Sequence, residues 1–289
     1  MKFPAASSSL HRAIRRRGTA PRCNCNWPGR AVEDRVDVIM NNGSRRFYPV
    51  ILAVAVLIAQ EGVPQAEAPD SASGAAIQGV VRWTGPIPKP ELLKVPRDSK
   101  YCGATIPSEE FLIDPATRGV ARVVVSLEGV PSGQPLPPAS SANPVRVDNG
   151  KCHFVPRVQA AMVGTTLEIT TTDPILHNTH SRKRNRFGET HVNVAIPASS
   201  PKVIRKPLHE PGLLSIRCDA HPFMQAWIYA FEHPYFAVTD ETGRFELPKV
   251  PPGTYQMRLW HEALGTREAT VTVTSDVPVR MDFELGLGG

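Results

Sequence analysis

From about residue 76 onward, apolar and polar residues alternate with a period of two in short runs, the spacing of half-buried β-strands. Ile77-Gln78-Gly79-Val80-Val81-Arg82-Trp83, Val120-Ala121-Arg122-Val123-Val124-Val125-Ser126-Leu127 and Thr165-Thr166-Leu167-Glu168-Ile169-Thr170-Thr171 read as strands. So do Leu213-Leu214-Ser215-Ile216-Arg217 and Ala226-Trp227-Ile228-Tyr229-Ala230-Phe231, which flank a short loop. Near the C-terminus, Val271-Thr272-Val273-Thr274 and Val279-Arg280-Met281-Asp282-Phe283 alternate in the same way. Turns separate these runs: one is centred in Thr239-Asp240-Glu241-Thr242-Gly243-Arg244-Phe245, and Pro251-Pro252-Gly253-Thr254-Tyr255 has the Pro-then-Gly order of a tight turn. Residues 131–144 are rich in Pro and Ser and read as an exposed loop or linker.

Composition supports this pattern. Proline accounts for 29 of 289 residues, about twice its usual share, which disfavours long helices. No helical periodicity is sustained after the leader, so the expected class is all-β and sandwich-like.

The N-terminal region has a different character. Arg45-Arg46 precede the apolar segment 48–59, which is too short for a span of roughly 20 residues but suits the core of a signal peptide. Ala66-Glu67-Ala68 is a candidate cleavage site with an unfavourable Pro69 behind it, and Met40 is a natural start for such a leader. Residues 1–68 are therefore read as a leader, and the chain as exported to a periplasmic or other extracytoplasmic space. An uncleaved leader would anchor it to the membrane. This region carries 10 of the 33 Lys/Arg and 5 of the 27 Asp/Glu, so the formal charge of +6 shrinks to near neutrality in the body. That balance gives no case for nucleic acid. The dense segment Ser181-Arg182-Lys183-Arg184-Asn185-Arg186 is a solvated loop or, functionally, a docking patch for an acidic partner.

Cys218-Asp219-Ala220-His221-Pro222-Phe223-Met224 carries the chemistry. A thiolate, an imidazole and a thioether at C-x2-H-x2-M spacing can turn toward one point from a loop leaving a strand. Two imidazoles and a thiolate with a weak axial Met describe a blue copper site. The second imidazole is expected from His177, 41 residues upstream at a strand end, a distance that allows an intervening hairpin. Each of these residues alone would be unremarkable core or turn; together they define a site. Outside the leader, which also holds Cys23 and Cys25, Cys102 and Cys152 remain. They are expected to pair in an oxidising compartment, the alternative being two buried thiols. His180 and His191 are weighed as a second metal site against ordinary exposed polar residues.

The loop is identical at His-Pro-Phe-Met to the ligand loop of the amicyanin branch of cupredoxins, and residues 146–232 as a whole resemble a cupredoxin. The resemblance implies a Greek-key β-sandwich with one type 1 copper cycling between Cu(I) and Cu(II). It assigns His177, Cys218 and His221 as strong ligands and Met224 as the axial one. It also implies that Asn178 donates its backbone N–H to the sulfur and pins the loop, and that His221 with Pro222 and Phe223 forms an exposed electron exit. Ala220 stands where amicyanin has proline, which leaves a second N–H for the sulfur and should lower the reduction potential. Ile216 replaces a common aromatic and alters packing only.

Residues 237–285 resemble the carboxypeptidase-regulatory, prealbumin-like β-sandwich. Its opening strands are matched by Ile77-x-Gly79-x-Val81 and Val123–Leu127, before the cupredoxin segment. The expected organisation is thus a sandwich of 76–145 with 233–289, split by a cupredoxin at 146–232, the alternative being one enlarged sandwich. Trp260-His261-Glu262 is read either as core and loop residues or as a partner patch. The function expected is one-electron transfer with a cytochrome or oxidoreductase, docked at Phe223 and at Arg182, Lys183, Arg184 and Arg186. Copper storage, delivery or sensing is the main rival, and an adhesion protein with an incidental metal a third. Oxidase or nitrite reductase chemistry is not expected, because the chain has no His-x-His pair; Cys218 as a hydrolase nucleophile would leave Met224 and Asn178 unexplained.

Overall fold

The computed structural model describes residues 74–130, 144–184, 188–274 and 277–287. The leader with Cys23 and Cys25, most of the Pro/Ser-rich stretch and Arg186 lie outside them. Among the described residues no helix is long and apolar enough to cross a membrane.

The described residues open with β1 (Ala75–Trp83), followed by the small pair β2 (Leu92–Lys94) and β3 (Thr105–Pro107), between which sits a single helical turn, α1 (Ser99–Cys102). After β4 (Val124–Glu128) come β5 (Val145–Gly150), β6 (His153–Val155), β7 (Val158–Met162), β8 (Thr166–Thr171) and β9 (His177–Lys183). These are followed by β10 (Thr190–Ile196), β11 (Ile204–Pro207), β12 (Gly212–Arg217) and β13 (Gln225–Phe231). The chain closes with β14 (Phe236–Val238), β15 (Arg244–Val250), β16 (Gly253–His261), β17 (Gly265–Val273), β18 (Val279–Arg280) and β19 (Phe283–Leu285). The protein is all-β, as the alternation predicts; α1 and the β2–β3 pair have no periodic signal and are missed by it.

Pairing follows space, not sequence. β1 lies between β15 and β18, and β4 between β14 and β16 with β17 beyond, so strands from both ends of the chain share two sheets. The middle of the chain forms the other two large sheets, β10-β9-β12-β13-β7 and β11-β8-β5-β6. Ile77, Val81, Val125, Leu127, Leu247 and Met257 belong to one core; Val147, Leu167, Ile169, Ile196, Ile216 and Ile228 belong to the other.

β13 explains how the two sandwiches meet. Ala226, Ile228 and Ala230 point into the second core, whereas Trp227, Tyr229 and Phe231 point out of it. The outward set packs against Val124, Phe236, Val238 and Trp260 of the β14-β4-β16 sheet. A strand buried on both faces has to be apolar at nearly every position, which is what β13 shows. A fully buried side chain such as Ile228 contributes about 1.5–3 kcal/mol.

One ion pair fixes the junction. Arg157, just before β7, holds Glu262, just after β16, with Nε and Nη2 each 2.6 Å from a carboxylate oxygen. The Trp227 indole N–H donates to the same carboxylate at 2.9 Å. Trp260-His261-Glu262 is thus turned inward: Trp260 edges onto Trp227, and His261 stacks on Phe111 with centroids 5.6 Å apart. In the turn at Asp240–Gly243, the Asp240 carboxylate accepts the N–H groups of Thr242 and Arg244. Gly243 is obligatory there, with φ +78 and a Cβ position 2.3 Å from the Val81 carbonyl oxygen.

Two outcomes follow. Glu262→Ala leaves a buried guanidinium unpaired and is expected to cost about 3–5 kcal/mol in urea unfolding, whereas replacing Arg157 and Glu262 together by apolar residues costs far less. His261 is held from its usual 6.5 down to about 4, chiefly by burial and with Arg157 and Arg122 acting the same way against the opposing pull of Glu262. The unfolded chain therefore takes up a proton before the folded one, and stability falls as pH drops from about 6.5 toward 4. His261→Gln should flatten the unfolding free energy across that window; an unchanged slope contradicts the assignment.

Candidate metal centre

The centre is built where β9 and β12 run antiparallel, with Ile216 opposite Ser181 and Arg217 opposite His180. Continuing that register by one pair sets Cys218, just past β12, level with Thr179, two residues from the His177 that starts β9. The loop then folds tightly: the His221 N–H donates to the Cys218 carbonyl at 3.2 Å, and the Met224 N–H to the His221 carbonyl at 2.9 Å. These turns bring the second imidazole back over the sulfur.

The donor atoms of His177, Cys218 and His221 lie within 4.8 Å of one another, and all three residues are buried. The Cys218 Sγ is 4.0 Å from His177 Nδ1 and 3.5 Å from His221 Nδ1. The two imidazole centroids are 4.9 Å apart. Met224 is buried at the end of the loop, in the apolar cluster that contains Cys218.

A carboxylate holds the far nitrogen of each imidazole. His177 Nε2 is 2.8 Å from Asp173 Oδ2, and His221 Nε2 is 2.9 Å from Asp98 Oδ2. Each Nε2 therefore carries the proton, and each Nδ1 presents a lone pair beside the sulfur. Burial keeps the His177 imidazole below its ordinary pKa, although Asp173 pulls it upward. Burial also opposes ionisation of Asp173, but N–H groups of Cys152 and Lys151, the Tyr101 hydroxyl and His177 together hold its pKa below the usual value. Burial pushes the Cys218 thiol up, while backbone N–H groups of Asn178, Ala220 and His221 draw it down.

Asn178 works at both ends. Its N–H donates to the Cys218 sulfur at 3.3 Å, and its side-chain oxygen accepts the Asp219 N–H at 3.3 Å. Its amide nitrogen donates to Asn193 Oδ1 at 2.8 Å, tying the loop to β10.

The exposed electron exit expected at His221 is overturned: the imidazole is 0% exposed. Residues 92–107 lie over it. Within them Asp98 meets His221, the Tyr101 hydroxyl donates to Asp173 Oδ1 at 2.9 Å, and Cys102 is disulfide-bonded to Cys152. Val95 and Ile106 of the same segment pack with Phe223 and Ile175. Lys183 and Arg184 do not ring this face. They lie at and just beyond the other end of β9, roughly 20 Å from His177 by the rise of a strand, where Lys183 pairs with Glu189 and Glu210. His180 and His191 do not converge either: His180 is bound to Asp219 and Thr190, His191 to Ser181 and the Pro207 carbonyl.

Asp98, Tyr101 and Asp173 are the functional-site residues that the sequence reading missed. Asp173 carries one available signal, its place four residues before His177 and just ahead of a proline turn. Asp98 and Tyr101 have only their proximity to Cys102, whose pairing brings the whole segment to the site.

The family model of the carboxypeptidase regulatory-like domain matches residues 221–286. No curated protein matches the chain. Among solved structures, a Cu-containing nitrite reductase from Thermus scotoductus SA-01 aligns at 24% identity over 34% of this chain and 27% of its own, with a TM-score of 0.29. A reduced amicyanin variant aligns at 18% identity over 32% of this chain and 89% of its own, TM-score 0.27. A purple cupredoxin from Nitrosopumilus maritimus aligns at 16% identity over 30% of this chain and 99% of its own, TM-score 0.26. The chain thus spans about a quarter of the nitrite reductase and nearly all of the two smaller proteins. It is an all-β protein that is similar in fold to cupredoxins and, over residues 221–286, to the carboxypeptidase regulatory-like domain.

Proposed function

We propose that the protein holds one type 1 copper through His177, Cys218 and His221, with Met224 as axial ligand, and carries single electrons between redox partners. The observation that supports this most is the buried trio of two Nδ1 lone pairs and one sulfur, each already held by a second partner. The donor set fits copper because soft sulfur with imidazole suits it better than hard oxygen-binding cations. When bound, copper would supply a one-electron Cu(I)/Cu(II) couple.

The chain's own part is to keep the donors still. Asp173 and Asp98 fix the ring orientations, and the N–H groups at the sulfur fix the thiolate. Donors that do not move between oxidation states present little reorganisation to an arriving or departing electron. A reduced cytochrome or oxidoreductase would give the electron and an oxidised one would take it, in the exported space that the leader indicates. A copper-handling role is the second reading, and the burial of His221 favours it, since a closed site retains its ion.

Copper-loaded protein is expected to show an intense blue charge-transfer band, a type 1 EPR signal and reversible voltammetry, with the band lost in His177→Ala. A colourless protein that binds only Cu(I) would support copper handling instead. Ala220→Pro removes an N–H donor to the sulfur and disfavours the oxidised site, so its reduction potential should rise; an unchanged or lower value contradicts this.

A further inference from the structure

We infer that residues 92–107 are a latched cap that completes the metal centre, with Asp98 as the positioning residue for His221 and Cys102–Cys152 as the latch. The inference rests on the proposed metal site and extends it to a part of the chain outside the sheets that carry the ligands.

The contacts come from a single turn and its cap: Asp98 is the N-cap of α1, and Tyr101 and Cys102 lie within it. Each takes a different anchor below: His221 Nε2 at 2.9 Å, Asp173 Oδ1 at 2.9 Å and the sulfur of Cys152. Asp98 thus ends on one imidazole directly, and Tyr101 on the carboxylate that orients the other. The third lands beside the Cys152 N–H, which donates to the Asp173 carboxylate at 2.8 Å. Cap, carboxylates and imidazoles form one connected set.

Asp98 gives up a local role to do this. It opens α1 at the N-cap, where an aspartate ordinarily accepts a hydrogen bond from its own helix, yet its side chain makes no such bond. Its backbone sits at φ 57, a left-handed conformation that costs a non-glycine residue free energy. The side chain reaches across to His221 instead, 123 positions away. Local helix chemistry does not account for that placement, whereas holding a buried imidazole does. The same carboxylate remains 36% exposed, so the path from His221 to solvent at this end runs through it.

The underside of the cap is apolar. Val95 and Ile106 cluster with Cys152 against Ile175 and Phe223, covering the loop edge that the sequence reading left open for docking. An ion at the Nδ1 and Sγ atoms could leave toward this side only if the cap moved, and a disulfide across 50 residues opposes that movement. The cap should therefore set how fast copper exchanges, and its outer face, not His221, is what a partner would meet.

The test compares wild type with Asp98→Ala, Asp98→Asn and the double variant Cys102→Ser with Cys152→Ser, all as the full chain. In metal-free protein, nitrogen-15 NMR should show His221 as the Nε2–H tautomer in wild type and a mixture in Asp98→Ala. In copper-loaded protein, transfer to a chelator should be about tenfold faster or more in Asp98→Ala and in the double serine variant, with a smaller change in Asp98→Asn. The absorption band should persist in the serine variant, since no ligand is touched. Equal transfer rates in all four proteins, with an unchanged His221 tautomer, would overturn the inference. If wild type took up no copper, the metal reading would fail on its own, and the tautomer measurement would still decide whether Asp98 positions His221.

Discussion

The antiparallel pairing of β9 with β12 is the constraint on which the centre depends. It places Arg217 against His180 and so sets Cys218 level with Thr179, close enough to the strand start for the Asn178 N–H to reach the sulfur. Side chains on a strand alternate between faces, so a slip of one residue would turn His177 out of the interior. Ile216 and Ile228 oppose such a slip, since both are fully buried in the core between the two sheets and would have to move to the wrong side. The hydrophobic pattern that makes the sandwich is thus the same pattern that brings His177 and Cys218 together.

Around that register the protein adds rigidity in layers. Asn178 ties sulfur, loop and β10 together, and Asp173 joins His177 to the β5–β6 turn. The sheet of β14, β4 and β16 packs on the outer face of β13, with Arg157, Glu262 and Trp227 forming a hydrogen-bonded knot at the junction. β1, which shares a core with that sheet, leads into the segment that closes over His221. The outer strands therefore reach the centre twice, through the face of a sheet and through the cap.

Much of this was legible in the sequence, for identifiable reasons. Strands such as Ala75–Trp83 and Val158–Met162 differ in how clearly they alternate, but turn residues and β-branched runs sufficed to give the all-β class. The Cys218–Met224 loop was readable because three donor types at fixed spacing, thiolate, imidazole and thioether, form an improbable set. The cap was not readable. α1 is one turn long, too short for any period to register, and Asp98 contacts a residue 123 positions away. The exposure expected of His221 came from proteins of similar loop, and it fails here because the chain supplies its own cover. The basic segment was visible as charge, but sequence alone does not reveal that Lys183 is already engaged by Glu189 and Glu210.

X-ray absorption at the copper edge of the loaded full-length protein tests the central claim most directly, because it counts and identifies the atoms around the ion. One short copper–sulfur distance and two imidazole shells are expected, with one imidazole missing in His177→Ala. A shell of oxygen and nitrogen without short sulfur, or a spectrum indifferent to His177→Ala, would contradict it.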